Sequence, residues 1–205
     1  WDPSKGKPVI ELAHKVDRSQ DGLIFTYHLK KGIKFHNGRE LVADDVIWSY
    51  NRIMNPQLAS SASRWIRIIK GAKSVEDGKA KMISGLKKID DYTIQITLEG
   101  PFNPGYNLYD AATAILPREE VEQEGDNFGK DPVGCGPFRL AKIISGSEII
   151  LERFQDYYET GKPYLDRVVY KIMVEDGPRD MAFRAKELDA IIVGPTHYAQ
   201  YKNDP

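Results

Sequence analysis

The chain has 205 residues, of which 41% are hydrophobic and 29% charged, the composition of an ordinary globular protein. Its net charge of −1, with acids and bases interspersed, argues against a nucleic-acid-binding or membrane-surface protein. No apolar run is long enough to cross a bilayer, and the single cysteine, Cys135, excludes an internal disulfide.

The first regular pattern lies in residues Asp21–Pro56, here called the signature segment. Residues 1–20 hold a Pro/Gly/Lys-rich opening and the short apolar run Val9–Ala13, without a clear period. Alternation then begins at Leu23, which predicts a half-buried strand. The apolar face of this strand consists of Leu23, Phe25, Tyr27 and Leu29.

The signature segment continues with a second short strand, a turn and a helix. Ile33 and Phe35 resume the alternation, and His36-Asn37-Gly38 predicts a turn because Asn-Gly tolerates positive φ. From Ala43 the apolar residues recur at helical spacing until Asn55-Pro56 stops the run. The order strand, turn, short strand, turn, amphipathic helix is specific, and we expect the apolar face of the helix to pack on a sheet.

The remainder of the chain predicts further strands and helices around one irregular break. Residues Gly85–Glu99 alternate about Asp90-Asp91 and predict a hairpin, and Pro117 begins a helix that ends near Gly125. Asp131–Pro137 is too rich in Gly and Pro for a regular element. After it we predict strands over Phe138–Ile144, Glu148–Phe154 and Val168–Val174, and a helix containing Met181, Phe183 and Leu188. Ile149 and Leu151 are expected to mark one face of the second of these strands.

These motifs resemble, in order, those of the family 5 extracytoplasmic solute-binding proteins, the peptide-binding components of ABC importers. The signature segment matches best, and the resemblance continues through P-V-G-C-G-P-F (132–138), L-E-R-F (151–154), G-K-P-Y-L-D (161–166) and L-D-A (188–190). It implies a mixed α/β, periplasmic-binding-protein-like fold. It also implies a satellite domain over residues 1–131 and part of the main lobe over residues 132–205, with the chain crossing between them at Asp131–Pro137.

The sequence departs from the family at Val42, where the usual residue is threonine. A threonine would cap the helix and form a capping box with Asp45, whereas valine offers no side-chain oxygen to the first amide protons. We expect this substitution to cost about 1 kcal/mol of helix stability.

The resemblance implies a function in solute capture. The ligand would be a peptide and the partners the permease subunits of an ABC transporter, outside the cytoplasm, with contact to the membrane only through the transporter or a lipid anchor beyond this chain. It implies no cofactor and no nucleic-acid partner. By position in the family, three loop segments would approach the ligand, and their residues are Ser61, Ala62, Asp110, Ala111, Val193 and Gly194.

Family members are two to three times longer than this chain, from which we expect a fragment that lacks the C-terminal lobe. The anchors for the ends of a bound peptide come largely from that lobe. We therefore expect the fragment to provide only one wall of the ligand cleft.

Two other classes of function stay open at this point. The first is a hydrolase that uses Cys135 or a carboxylate pair, although no histidine motif points to Cys135 and adjacent acids diverge in direction. No two histidines share the spacing of metal ligands. The second is a sensor that uses the same fold to present a ligand to a membrane receptor, which the sequence does not distinguish from a transport protein.

Overall fold

The computed structural model describes residues 6–108, 111–195 and 197–202. The chain divides into two compact units, of which the first is formed by Trp1–Arg139 and Arg153–Leu165. The second is formed by Leu140–Glu152 and Asp166–Pro205.

The first unit contains a four-stranded antiparallel sheet in the order β1-β2-β4-β3. The strand predicted in the signature segment is a central strand, β2, where Phe25 lies opposite Ile96 and Tyr27 opposite Ile94. The predicted hairpin is confirmed as β3 and β4. The strands are β1 (Ala13–Arg18), β2 (Ile24–Leu29), β3 (Leu86–Asp90) and β4 (Thr93–Thr97).

Helices cover this sheet, and the longest, α1, is the helix of the signature segment. Its apolar face is buried through Val46, Tyr50 and Ile53, and the helix contacts β3, as predicted. The helices are α1 (Ala43–Ile53), α2 (Ser63–Ile66), α3 (Ala72–Glu76), α4 (Gly105–Leu108) and α5 (Arg118–Glu124), with 3-10 turns at Ala111–Thr113 and Gly125–Lys130.

The core of the first unit is built around the signature segment. Phe25, Leu29 and Phe35 are buried as predicted, whereas Tyr27 is half-buried and packs against the core. Burial raises the pKa of Tyr27 to about 12. The short second strand predicted at Ile33 and Phe35 is not formed. Its β-pairing consists of one isolated bridge between Lys34 and Glu40, although Ile33 and Phe35 are fully buried.

The start of α1 retains half of a capping box. Val42 provides no side-chain cap, but the Asp45 carboxylate accepts the Val42 N–H at 2.9 Å, and the Asp45 N–H donates to the Val42 carbonyl at 3.0 Å. The missing half is the hydroxyl that a threonine would offer.

Val42→Thr is therefore expected to stabilise the protein by about 1 kcal/mol, because it supplies the missing acceptor at the helix start. Urea denaturation would measure the change. As a matched control, Val9→Thr replaces an exposed valine away from any helix and should change the free energy of unfolding by less than about 0.5 kcal/mol. Equal effects of the two substitutions would contradict the capping argument.

The second unit contains a three-stranded sheet in the order β5-β6-β7, in which β6 and β7 are antiparallel. The three strands predicted after the Gly/Pro break are confirmed, although β7 ends at Lys171 and not at Val174. The buried residue of β6 is Ile150, and the flanking Ile149 and Leu151 are only half-buried. The predicted helix ends before Leu188. The elements are β5 (Phe138–Ile144), β6 (Glu148–Arg153), β7 (Arg167–Lys171), α6 (Asp176–Arg184) and α7 (Tyr198–Tyr201).

The boundary between the units lies after Arg139, eight residues beyond the predicted boundary at Asp131, and Arg153–Leu165 returns to the first unit. The reason is that Val133 and Cys135 pack against the core of the first unit. His36 fixes this loop, since its N–H donates to the Gly134 carbonyl at 2.8 Å and its Nδ1 accepts the Gly134 N–H at 3.2 Å. The assignment of the units to a satellite domain and a main lobe stays a prediction.

Phe154 accounts for the return of the chain to the first unit. It is buried, and its ring meets the His36 ring edge-on at a centroid distance of 4.9 Å. Its N–H also donates to the Pro137 carbonyl at 2.9 Å.

Within the part of the chain that the structure describes, no helix combines the length and the apolar character needed to span a membrane.

Candidate ligand-binding site

The first predicted segment, Ser61–Ala62, directly precedes helix α2. Ser61 is exposed, whereas Ala62 is buried at the helix start. The Ala62 N–H donates to the Ser60 hydroxyl at 3.2 Å, and the Ser63 N–H donates to the Ser60 carbonyl at 3.1 Å. Ser61 therefore offers a free side-chain position beside a turn fixed by Ser60, while Ala62 belongs to the core.

Helix α2 is held at its C-terminal end by an ion pair. The Arg67 guanidinium donates two hydrogen bonds to the Glu76 carboxylate, at 2.8 and 2.6 Å, and thereby joins α2 to the end of α3. The Arg67 guanidinium lowers the pKa of Glu76 to about 2, with smaller contributions from Ser63 and Lys73.

This pair predicts a pH dependence of stability. Because the pKa of Glu76 is depressed on folding, its contribution is complete above the ordinary value of 4.5 and is lost as the pH falls to about 2. Arg67 is half-exposed, so we expect Glu76→Gln to cost at most about 1 kcal/mol at neutral pH. Denaturation at several pH values should show that this difference disappears near pH 2, whereas the exposed Glu187→Gln should show no such trend.

The second predicted segment is Asp110–Ala111. Asp110 falls outside the described residues, and Ala111 is exposed at the start of a 3-10 turn. The preceding helix α4 contacts α2 through Asn107, whose buried amide donates to the Trp65 carbonyl at 3.1 Å. Ser61–Ala62 thus directly precede α2, and Ala111 follows α4 along the chain, the two helices being joined by this side-chain hydrogen bond.

The chain beyond Ala111 is also fixed to the core. Thr113 and Ile115 are buried, and the Leu116 N–H donates to the Ser49 hydroxyl on α1 at 3.0 Å. The sequence analysis did not identify Asn107 or Ser49 as residues that position these loops. In the sequence, each could have been recognised as a polar residue at a helical position that the apolar pattern predicts to be buried.

The third predicted segment, Val193–Gly194, lies in the second unit after α6. Both residues are half-buried. The Gly194 carbonyl accepts the His197 N–H at 3.0 Å, and a β-carbon at 194 would lie 2.8 Å from Cγ of Asp176. A side chain at position 194 would therefore force the Asp176 carboxylate at the start of α6 to move.

The predicted site residues are accordingly divided between the units: the first contains Ser61, Ala62 and Ala111, and the second contains Val193 and Gly194. Their contact with a ligand stays a prediction.

The alternative site at Cys135 lacks the features of a nucleophile. Burial raises the pKa of its thiol to about 11, with the charge of Glu11 as a smaller cause, so the thiol is protonated at neutral pH. Among the described residues, no histidine or carboxylate is hydrogen-bonded to its Sγ. The residue instead packs against the core of the first unit.

Every carboxylate of the adjacent acid pairs has a hydrogen-bond or ion-pair partner, and Asn37 donates to both Glu119 and Glu120. Each carboxylate has a structural role at a helix start, a turn or an ion pair. The partners are Lys88 for Asp44, Arg39 for Asp45, the Tyr92 N–H for Asp90, Lys88 for Asp91, Arg39 for Glu119 and Asn37 for Glu120. In the described ranges, no group of three or more His, Cys, Asp or Glu side chains is placed to hold a metal ion.

Comparison with known proteins identifies the family. A family model described as "Bacterial extracellular solute-binding proteins, family 5 Middle" matches residues 7–205. The chain belongs to this family. The family 5 solute-binding proteins include the relatives described next, and the predicted periplasmic-binding-protein-like fold is confirmed.

Two curated relatives and one solved structure illustrate the similarity. The chain is 30% identical to the oligopeptide-binding protein AppA of Bacillus subtilis over 92% of its own length and 33% of the relative's. It is 31% identical to the dipeptide-binding protein of Escherichia coli, over 94% of this chain and 38% of the relative. The crystal structure of a periplasmic oligopeptide-binding protein from Borrelia burgdorferi matches with a TM-score of 0.87 and 28% identity, over 98% of this chain and 42% of that one.

The chain therefore spans between a third and about two fifths of the length of these family 5 relatives.

Proposed function

We propose that this chain is a segment of a longer extracytoplasmic solute-binding protein that captures peptides for an ABC importer. The observation that supports the proposal most is the family match over residues 7–205. The relatives named above bind oligopeptides or dipeptides by their names. Permease subunits of the importer are the proposed partners, with the protein in the periplasm or anchored outside the cell by a lipid.

Peptides suit this role because their backbones offer regular hydrogen-bonding groups, which a binding protein matches without fixing the side chains. The exposed Ser61 and Ala111 and the half-buried Val193–Gly194 are the proposed contacts within this chain. No chemistry on the ligand is part of the proposal, and the protonated, core-packed Cys135 favours binding over hydrolysis.

Mass spectrometry of small molecules released from the purified full-length protein tests the proposal directly. The expected result is a set of co-purified peptides of two or more residues. Release of sugars or metal chelates without peptides would overturn the ligand assignment. A second experiment separates transport from sensing by deleting the permease and measuring uptake of labelled peptide. Loss of uptake would support transport, and unchanged uptake would support sensing.

The 205-residue chain by itself is expected to bind peptides more weakly than micromolar. The remaining part of the relatives' length, more than half in each case, would supply the opposing contacts, and a peptide on one open wall stays hydrated. In water each of its hydrogen bonds contributes only about 0.5–1.5 kcal/mol. Calorimetry against a mixed library of di- to pentapeptides provides the measurement. Micromolar or tighter binding would show that the pocket is complete in this chain.

A further inference from the structure

The close approach of Gly194 to α6 points to a residue that has no role in the proposal above. Asp176 is the first residue of α6, and the space between its carboxylate and residue 194 is too small for a methyl group. The same carboxylate lies near the ring of His197, with Nδ1 at 3.9 Å from Oδ2. The backbone of Val193–Gly194 is thus held between α6 and His197.

The orientation of the Asp176 carboxylate is fixed from its other side. Arg179, one turn later on α6, forms an ion pair with Oδ1, which leaves Oδ2 directed to Gly194 and His197. Arg179 is itself held, because its second guanidinium nitrogen donates to the Met173 carbonyl at 3.1 Å. Its side chain is largely buried, so the ion pair is shielded from solvent more than an ordinary surface pair.

We propose that Asp176 is a positioning residue for peptide binding: oriented by Arg179, it sets the place of Val193–Gly194 without touching the peptide itself. This inference rests on the proposed function, in which Val193–Gly194 contacts the ligand. A loop already held in its bound position loses less freedom on binding, so release of this contact weakens affinity.

The test uses the full-length protein and a mixed library of di- to pentapeptides, with the apparent Kd measured by calorimetry. Gly194→Ala and Asp176→Ala are each expected to weaken binding about tenfold, the effect of ordering one or two loop residues. Asp176→Asn keeps the shape and one acceptor oxygen and should recover most of the affinity. The matched control is Gly177→Ala, next to Asp176, where a β-carbon meets open space; it should bind like the wild type.

A double variant separates positioning from a general structural defect. In Gly194→Ala/Asp176→Ala the new methyl group at 194 no longer meets the Asp176 carboxylate. The loss of affinity in the double variant should therefore be little larger than in either single variant. A purely structural defect would instead make the two losses add. Asp176→Ala that binds as tightly as the wild type would overturn the proposal.

Hydrogen exchange of amides 191–197 provides a readout that needs no ligand. Exchange should be faster in Asp176→Ala than in the wild type and unchanged in Gly177→Ala. Faster exchange in a protein that binds no peptide would refute the proposed function and support only the claim that Asp176 holds Val193–Gly194 in place. Unchanged exchange would refute the positioning role whatever the protein binds.

Discussion

Phe25→Ala is expected to lower the free energy of unfolding by about 3–5 kcal/mol. The ring is buried on the central strand β2, opposite Ile96, so truncation leaves a cavity between the sheet and α1. Urea denaturation followed by tryptophan fluorescence measures the change, because Trp48 and Trp65 both lie in the first unit.

Phe102→Ala is the matched control for this truncation. Phe102 is 43% exposed, so the same chemical change removes little buried surface, and we expect a loss below about 1 kcal/mol. A loss at Phe25 no larger than that at Phe102 would show that the signature segment is not the core of the first unit.

Arg39→Ala should destabilise the protein by about 3 kcal/mol, the low end of the range for breaking a buried ion pair. The guanidinium donates two hydrogen bonds to the Asp45 carboxylate, at 2.7 and 3.0 Å, and Asp45 is only 5% exposed. Without Arg39 this charge stays buried, and the Val42 N–H still donates to it at 2.9 Å. Chemical denaturation at neutral pH is the appropriate measurement.

The second partner of Arg39 offers an internal comparison. Glu119 accepts from the same guanidinium at 2.5 Å, but its side chain is half-exposed. Glu119→Gln should therefore cost less than about 1 kcal/mol, as for most exposed ion pairs. If Glu119→Gln proved as costly as Arg39→Ala, the stabilisation would come from the link to α5 and not from the burial of Asp45.

Hydrophobic periodicity predicted those elements of the fold that bury one face. Strands β2 and β4 and helix α1 each pack one side on the core, so burial imposes a period on their sequences. Strand β1 was missed because only Ala13 is buried in it and Val16 half-buried. It is an edge strand that depends on pairing with β2, an interaction that leaves no local pattern.

Two predictions were wrong although the apolar pattern was clear: the short strand at Ile33 and the buried face of β6 near Ile150. Alternation at Ile33 and Phe35 correctly indicated burial but could not reveal that no neighbouring strand pairs with them beyond one bridge. In β6 three consecutive apolar residues, 149–151, leave the buried face undecided, because either register places apolar side chains inward.

The boundary and the candidate site depended on contacts that are distant in sequence. The Gly/Pro composition of Asp131–Pro137 showed an irregular backbone but not that Cys135 packs on the first core or that Phe154 meets His36. The six site residues stand in sequence stretches without periodicity, so only the family resemblance could propose them. The roles of Asn107 and Asp176 became visible only from the folded contacts.

The small hydrophobic core of the second unit has a consequence for the order in which the two units fold. Ile150 is the single buried residue among those described there, while Val174, Met181 and Ile192 are more than 70% exposed. Such a unit buries too little apolar surface to offset the entropy of ordering its chain. The first unit, with its larger core, is therefore expected to become stable before the second, whose apolar side chains stay exposed and prone to association until other apolar surface covers them.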